Sequence, residues 1–191
     1  RSEALRRFGD FLLNPQHLSS SVRANVLMVV AIGAEPKEWE QLRQLAKSSV
    51  NPLEKQDYYH LLGLPQDSAL AQRALAMALT NEAPQTLRAS IWDAVAEQHA
   101  DETVQFLIAN WSRVEPLVDI SSVPRSVPQV ASNSANLATL EALNGFGMAH
   151  IPTSARSTLH KVAAQVRDNI RIHGRLGEVD RWLKSHAGIT V

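Results

Sequence analysis

Asp101-Glu-Thr-Val-Gln-Phe-Leu-Ile-Ala-Asn-Trp111 carries Val104, Leu107, Ile108 and Trp111 at i, i+3, i+4 and i+7. That spacing lays four large apolar side chains along one stripe of an α-helix. Asp101 stands where an N-cap belongs, its carboxylate placed to accept from the free N–H groups of the first turn. A helix of this length is marginal alone in water, so other helices must lie against the stripe.

Toward the N-terminus the chain supplies them. Ala4 to Asn14 puts Leu5, Phe8 and Leu12 on one face and Arg6, Arg7 and Asp10 opposite, and Asn14-Pro15 ends it. Ser20 or Ser21 can cap a second helix with Val22, Val26, Val29 and Val30 inside. Gly33 closes that helix, and Pro36 opens a third with Trp39, Leu42 and Leu45 as its seam. Asn51-Pro52-Leu53-Glu54 reads as cap, first-turn proline and capping-box acid of a fourth helix running to about Leu64. Asp67 caps a fifth through Leu79, and Leu87, Ile91, Ala94 and Val95 mark a sixth.

Toward the C-terminus, Glu115 to Ser134 holds Pro116, Pro124 and Pro128 among Ser, Val and Asn. It reads as a long connection with room for one short helical turn. Leu137, Leu140, Leu143 and Phe146 resume the helical period, interrupted by Gly145 and Gly147. Pro152-Thr153-Ser154 begins the longest helix, Ala155 to about Arg175, with Leu159, Val162, Ala163, Val166 and Ile170 as its stripe. Gly174 and Gly177 weaken its end, and Val179, Trp182 and Leu183 give one last apolar face. The pattern predicts an all-α chain of helix, short loop and helix at repeat-like intervals, without the tetratricopeptide or ankyrin letters.

Composition narrows the function. Nineteen basic and nineteen acidic residues cancel, which argues against nucleic acid, whose phosphates need clustered positive charge. With no cysteine, the chain has no disulfide, thiolate nucleophile or Cys-ligated zinc. The apolar run Val26 to Ile32 is too short to cross a bilayer, and no targeting segment is visible, which leaves the compartment open between cytoplasm and periplasm. The chain opens at Arg1 and reads as one helical domain, residues 1–191, of something longer.

Catalytic signatures are missing from the sequence. Among His17, His60, His99, His150, His160, His173 and His186 no two stand at i, i+4, so no helix offers a zinc ion paired imidazoles; no metal ligand is assigned. Gly-x-Ser-x-Gly and phosphate-cradling glycine loops do not occur. Arg167, Arg171 and Arg175 align along one helix edge. There they would meet a carboxylate such as a peptide C-terminus, or more simply form a solvated face with Asp168 and Glu178. Arg88 and Trp92, one turn apart, would face a cavity together, against the plainer reading of Trp92 as core. Arg88, Trp92, Arg167 and Arg171 are therefore the candidate cavity-lining residues.

Several segments resemble, in order, the C-terminal domain of zinc aminopeptidases of the aminopeptidase N and endoplasmic-reticulum aminopeptidase type. Gly33-Ala-Glu-Pro-Lys-Glu-Trp-Glu-Gln-Leu42, Asn51-Pro-Leu-Glu-Lys-Gln56 and Asp67-Ser-Ala-Leu-Ala-Gln-Arg-Ala-Leu-Ala-Met-Ala-Leu79 are similar to successive helices. Val104-Gln-Phe-Leu-Ile-Ala-Asn-Trp111 resembles the Trp-x-Phe-hydrophobic-x-x-Asn-Trp segment, and Leu140-Glu-Ala-Leu-Asn-Gly-Phe146 the stretch ending in paired Phe. Gln165-Val-Arg-Asp-Asn-Ile170 and Val179-Asp-Arg-Trp-Leu183 resemble the closing helices. Three positions depart: Gly147 for the second Phe, Thr103 or Val104 where Trp is usual, and Ile172 at a position often Trp.

The resemblance implies a superhelical array of paired antiparallel helices, HEAT- or armadillo-like, closing as a bowl over a catalytic domain. That domain's Gly-x-Met-Glu-Asn and His-Glu-x-x-His…Glu motifs are absent here, so no catalytic or cofactor-binding residue carries over, and this chain is expected to be inactive alone. Zinc is implied only in the catalytic domain. The implied partners are that domain of the same polypeptide and peptide substrates, with no nucleic acid. The rival reading is a free-standing helical-repeat scaffold that binds a protein on its concave face.

Overall fold

A computed structural model of the chain describes residues 1–118 and 121–186. Among them are eleven α-helices and no strand. In order these are α1 (Ser2–Leu13), α2 (Ser20–Ile32), α3 (Pro36–Ser48), α4 (Pro52–Leu61), α5 (Ser68–Ala78) and α6 (Gln85–Gln98). They continue as α7 (Ala100–Ala109), α8 (Trp111–Val114), α9 (Val123–Gln129), α10 (Leu137–His150) and α11 (Ser157–His186). No helix among the described residues is long and apolar enough to cross a membrane.

Local signals set most of the boundaries. Asn51 Oδ1 accepts from the N–H groups of Leu53 and Glu54, and Asp67 Oδ1 from Leu70, so both caps act as the sequence predicts. Glu54 does not close a capping box; its carboxylate turns to Arg23 of α2, 3.3 Å away. The box-type return bond forms instead on α3, where Glu38 accepts from the Glu35 N–H at 3.1 Å.

Consecutive helices pack on one another, α1 on α2, α3 on α4 and α5 on α6, and one apolar core runs through all of them. The even-numbered helices also pack on one another, α2 on α4 and α4 on α6. The odd-numbered ones stand farther apart and are linked by long polar side chains. Arg1 reaches Glu35 beside α3 at 3.2 Å, and Arg73 of α5 reaches Glu40 of α3 at 3.5 Å. Ser68 and Gln72 of α5 meet Glu102 of α7 at 2.9 and 3.0 Å. Arg43 of α3 also grips Glu82 in the α5–α6 turn, holding that carboxyl below its usual range and stacking near the Trp39 ring.

The tight even layer depends on glycine. A Cβ placed on Gly63, just past α4, would lie 2.6 Å from the Ile91 carbonyl oxygen and 2.6 Å from the Ala94 Cβ of α6. Only hydrogen lets this backbone lie flat on that helix. Beside it, the buried Trp39 indole N–H donates to the Leu62 carbonyl at 3.0 Å, tying α3 to the same turn. Gly147 plays a similar part on α10: Leu159 of α11 fills the volume a side chain would take, 2.2 Å from the position of a Cβ. The missing second Phe of the family pattern is thus offset by a leucine from the next helix.

Four further expectations are corrected. Asp101 is not an N-cap, because α7 begins one residue earlier, after His99. Its carboxylate accepts instead from the buried hydroxyls of Ser134 and Thr139, pinning α7 to the entry of α10. The Val104 stripe is broken at Asn110, whose side chain donates to the Phe106 carbonyl, so Trp111 starts a separate short helix. There it packs edge-on against Phe146, ring centroids 4.7 Å apart. The proline-rich connection contains a true helix, α9, because Pro124 sits in the first turn, where no N–H is needed, and Pro128 falls in the last. Finally, α11 runs through Gly174 and Gly177 to His186, and its last apolar face is exposed, Trp182 at 58%.

We expect Gly63→Ala to lower stability by about 2 kcal/mol through overpacking against α6. Gly9→Ala, in open space on α1, would be neutral or slightly stabilising. Chemical denaturation of the two variants beside the parent measures the difference; equal midpoints would show that the α4–α6 contact yields freely.

Candidate functional site

The helical period of α6 buries Ile91, Trp92 and Val95 and leaves Asp93 and Glu97 exposed, one turn apart on the opposite face. α9 likewise exposes Arg125 and Gln129 one turn apart. Between them lies a cleft of about 450 Å³, floored by the buried Ala96 and Val130 and bordered by Asn133. A second hollow of about 320 Å³ continues over the start of α7, sharing Glu97 and Asn133 with the first, so the two form one groove.

The charges in this groove are unevenly paired. Glu102 is held by Ser68 and Gln72, and Asp101 by Ser134 and Thr139. Glu97 has only His60 of α4, 3.9 Å from its carboxylate. Among the described residues, Asp93 and Arg125 have no hydrogen-bond or ion-pair partner for their side chains. The cleft walls desolvate the Asp93 carboxylate although its mouth stays open to water. Its pKa is pushed up to about 6, with the charge of His60 offsetting part of the rise.

The four sequence-derived candidates do not gather here. Arg88, only 8% exposed, donates to the Ala83 carbonyl and to Asn81 Oδ1, both at 3.2 Å, and so organises the α5–α6 turn. Trp92 is 2% exposed and belongs to the core. Arg167 and Arg171 lie exposed on α11, Arg171 paired with Asp168 at 3.1 Å. Sequence reasoning missed Asp93, Glu97 and Arg125. An acidic pair at i, i+4 reads as any solvated helix face, and the helix that carries Arg125 was itself hidden by its prolines.

No three His, Asp or Glu side chains among the described residues converge as metal ligands would. No zinc site is therefore assembled among the described residues.

Desolvation of Asp93 links the cleft to stability. Its folded pKa, about 6, lies above the unfolded value, so the fold favours the protonated acid. That contribution is present in full below about pH 4 and is lost as pH rises through about 6. The charged groups around it are His60 on α4, Glu97 on α6 and Arg125 on α9. Asp93→Asn should stabilise the chain by about 1 kcal/mol at pH 8, the full linkage value being reduced by water at the cleft mouth. The gain should vanish near pH 4. Urea denaturation at both pH values checks this, and equal stabilities at pH 8 would mean a fully hydrated carboxylate.

Comparison with known proteins places this architecture. No curated protein matches the chain. A family model, the ERAP1-like C-terminal domain, matches residues 1–172, from α1 into the middle of α11. The chain belongs to the ERAP1-like C-terminal domain family.

Proposed function

We propose that the chain is the non-catalytic C-terminal domain of a zinc-dependent aminopeptidase, where it caps the catalytic domain and shapes the cavity that admits peptide substrates. The match across residues 1–172 carries this reading. The packing supports it: α2, α4 and α6 touch in succession, while α1, α3, α5 and α7 are spanned by long side chains. In a stack of helix pairs, the layer with the shorter spacing lies on the inside of the curve. On this reading α2, α4 and α6 form the concave wall of a HEAT-like array, and the cleft at Asp93 opens on that wall.

The reaction itself belongs to the catalytic segment, where zinc would polarise the scissile carbonyl and activate water. This chain's contribution is enclosure. It limits which peptides reach the site and excludes bulk solvent from the chamber.

Two measurements test the proposal. The purified chain should neither hydrolyse aminoacyl chromogenic substrates nor take up stoichiometric zinc. The polypeptide that contains it should carry His-Glu-x-x-His on the N-terminal side. Within that protein, replacing the exposed concave-wall residues Asp57 and Met28 with Ala should shift KM for long peptides several-fold and leave hydrolysis of a single aminoacyl anilide unchanged. Hydrolysis by the isolated chain, or a reading frame without the zinc motif, would overturn it.

A further inference from the structure

The groove over α6 is lined by two carboxylates of one helix, Asp93 and Glu97. Asp93 and Glu97 stand one turn apart on α6. Asp93 has no partner among the described residues, and Glu97 has only the distant His60. Ala96 and Val130 supply an apolar floor below them. This is the arrangement that receives a long basic side chain, whose methylenes lie on apolar surface while its head meets carboxylates. Across the cleft, Arg125 is a donor without a side-chain partner among the described residues, and Gln129, one turn away, is an amide with both donor and acceptor. Such groups suit the carbonyl and N–H groups of a peptide backbone. The continuation of the groove past Glu97 and Asn133 gives an extended occupant somewhere to lie.

We propose that this groove binds an extended peptide segment and holds one of its lysine or arginine side chains in the notch between Asp93 and Glu97. The charge carries specificity, because binding supplies a counter-ion to a carboxylate that the cleft walls desolvate and that no ion pair among the described residues holds. Arg125 positions the backbone on the opposite wall and repels a second cation, so one basic residue at a time occupies the notch. The site deepens the reading of the chain as a wall of a peptide chamber, but it is a property of these residues and is tested on them directly.

The probe is a capped pentapeptide with a central lysine among alanines, titrated into the 191-residue chain at low ionic strength and followed by calorimetry. Its counterpart has norleucine at the centre, the same stem without the charge. The lysine peptide is expected to bind at least tenfold more tightly than the norleucine peptide. Asp93→Asn should abolish that preference, and Lys161→Gln on the exposed face of α11 should leave it unchanged. Equal affinity for the two peptides, no binding of either, or an unaltered preference in Asp93→Asn would overturn the proposal. Binding of free butylamine as tight as that of the peptide would overturn the part assigned to Arg125 and Gln129. None of these results bears on hydrolysis, so failure here leaves the aminopeptidase reading standing, and failure of that reading leaves the binding measurement intact.

Discussion

The stack is organised by how closely one backbone approaches another at Gly63. Helix α4 ends on α6 with no side chain between them, and the distance from a would-be Cβ to the Ile91 carbonyl, 2.6 Å, leaves no slack for even a methyl group. Small residues continue the theme on α6 itself, where Ala94 lies against the glycine and Ala96 floors the cleft. Because one layer is drawn together by contact and the other held by arginine–carboxylate reach, the two faces differ in chemistry. The close-packed face exposes short helical arcs with charges set into clefts, and the open face is a lattice of exposed ion pairs, each contributing little alone. Shape and charge distribution thus share one cause, the volume of the residues at the helix crossings.

Much of this was legible from sequence because the signals were local. Asn51 and Asp67 fix their helices by side-chain hydrogen bonds to N–H groups two and three residues away, and such bonds do not need the rest of the fold. The stripes of α3, α5 and α6 bury the residues their period assigns: Trp39 and Leu42, Leu70 and Leu75, Ile91 and Val95. Signals that depend on partners misled. Asp101 has every credential of an N-cap but is used more than thirty residues away, because Ser134 and Thr139 arrive as buried hydroxyls in need of an acceptor. The prolines of α9 point to a connection with one short turn, yet Pro124 occupies a position that a helix tolerates and Pro128 only its last turn, so seven residues are helical. The cleft was illegible for the same reason: it exists only where α9 meets α6, and a periodic reading of either helix shows a polar face and nothing more.

Arg88 and Trp92 illustrate how one pattern carries two meanings. Their spacing of one turn was compatible with a shared cavity, and the spacing is right, but both point into the protein. A buried guanidinium is tolerable there because its hydrogen bonds are met by Ala83 and Asn81 in the turn it braces. Asp93, next to Trp92 in sequence, faces the opposite way and lacks such partners. The difference between these two charges on one helix is therefore a difference of satisfaction, which only the neighbours decide. Arg88 donates to two acceptors inside the fold, whereas the side chains of Asp93 and Arg125 have no such partners among the described residues.

The same criterion separates the two halves of α11. Up to Ile170 the helix is gripped: Leu159, Val162, Ala163 and Val166 are buried, and Asn169 donates to the carbonyls of Ser132 and Ser134 at 3.0 and 2.8 Å. Beyond it the ties are within the helix, such as Arg175 with Glu178 at 3.4 Å and the Trp182 ring stacked on His186 at 4.5 Å. The family match stops at residue 172, within a turn of the last packed side chain. That coincidence has a physical reading. Gly174 and Gly177, each with nothing within 4 Å of a would-be Cβ, would be disfavoured in a helix that had to hold a core together, and they occur where no core is held.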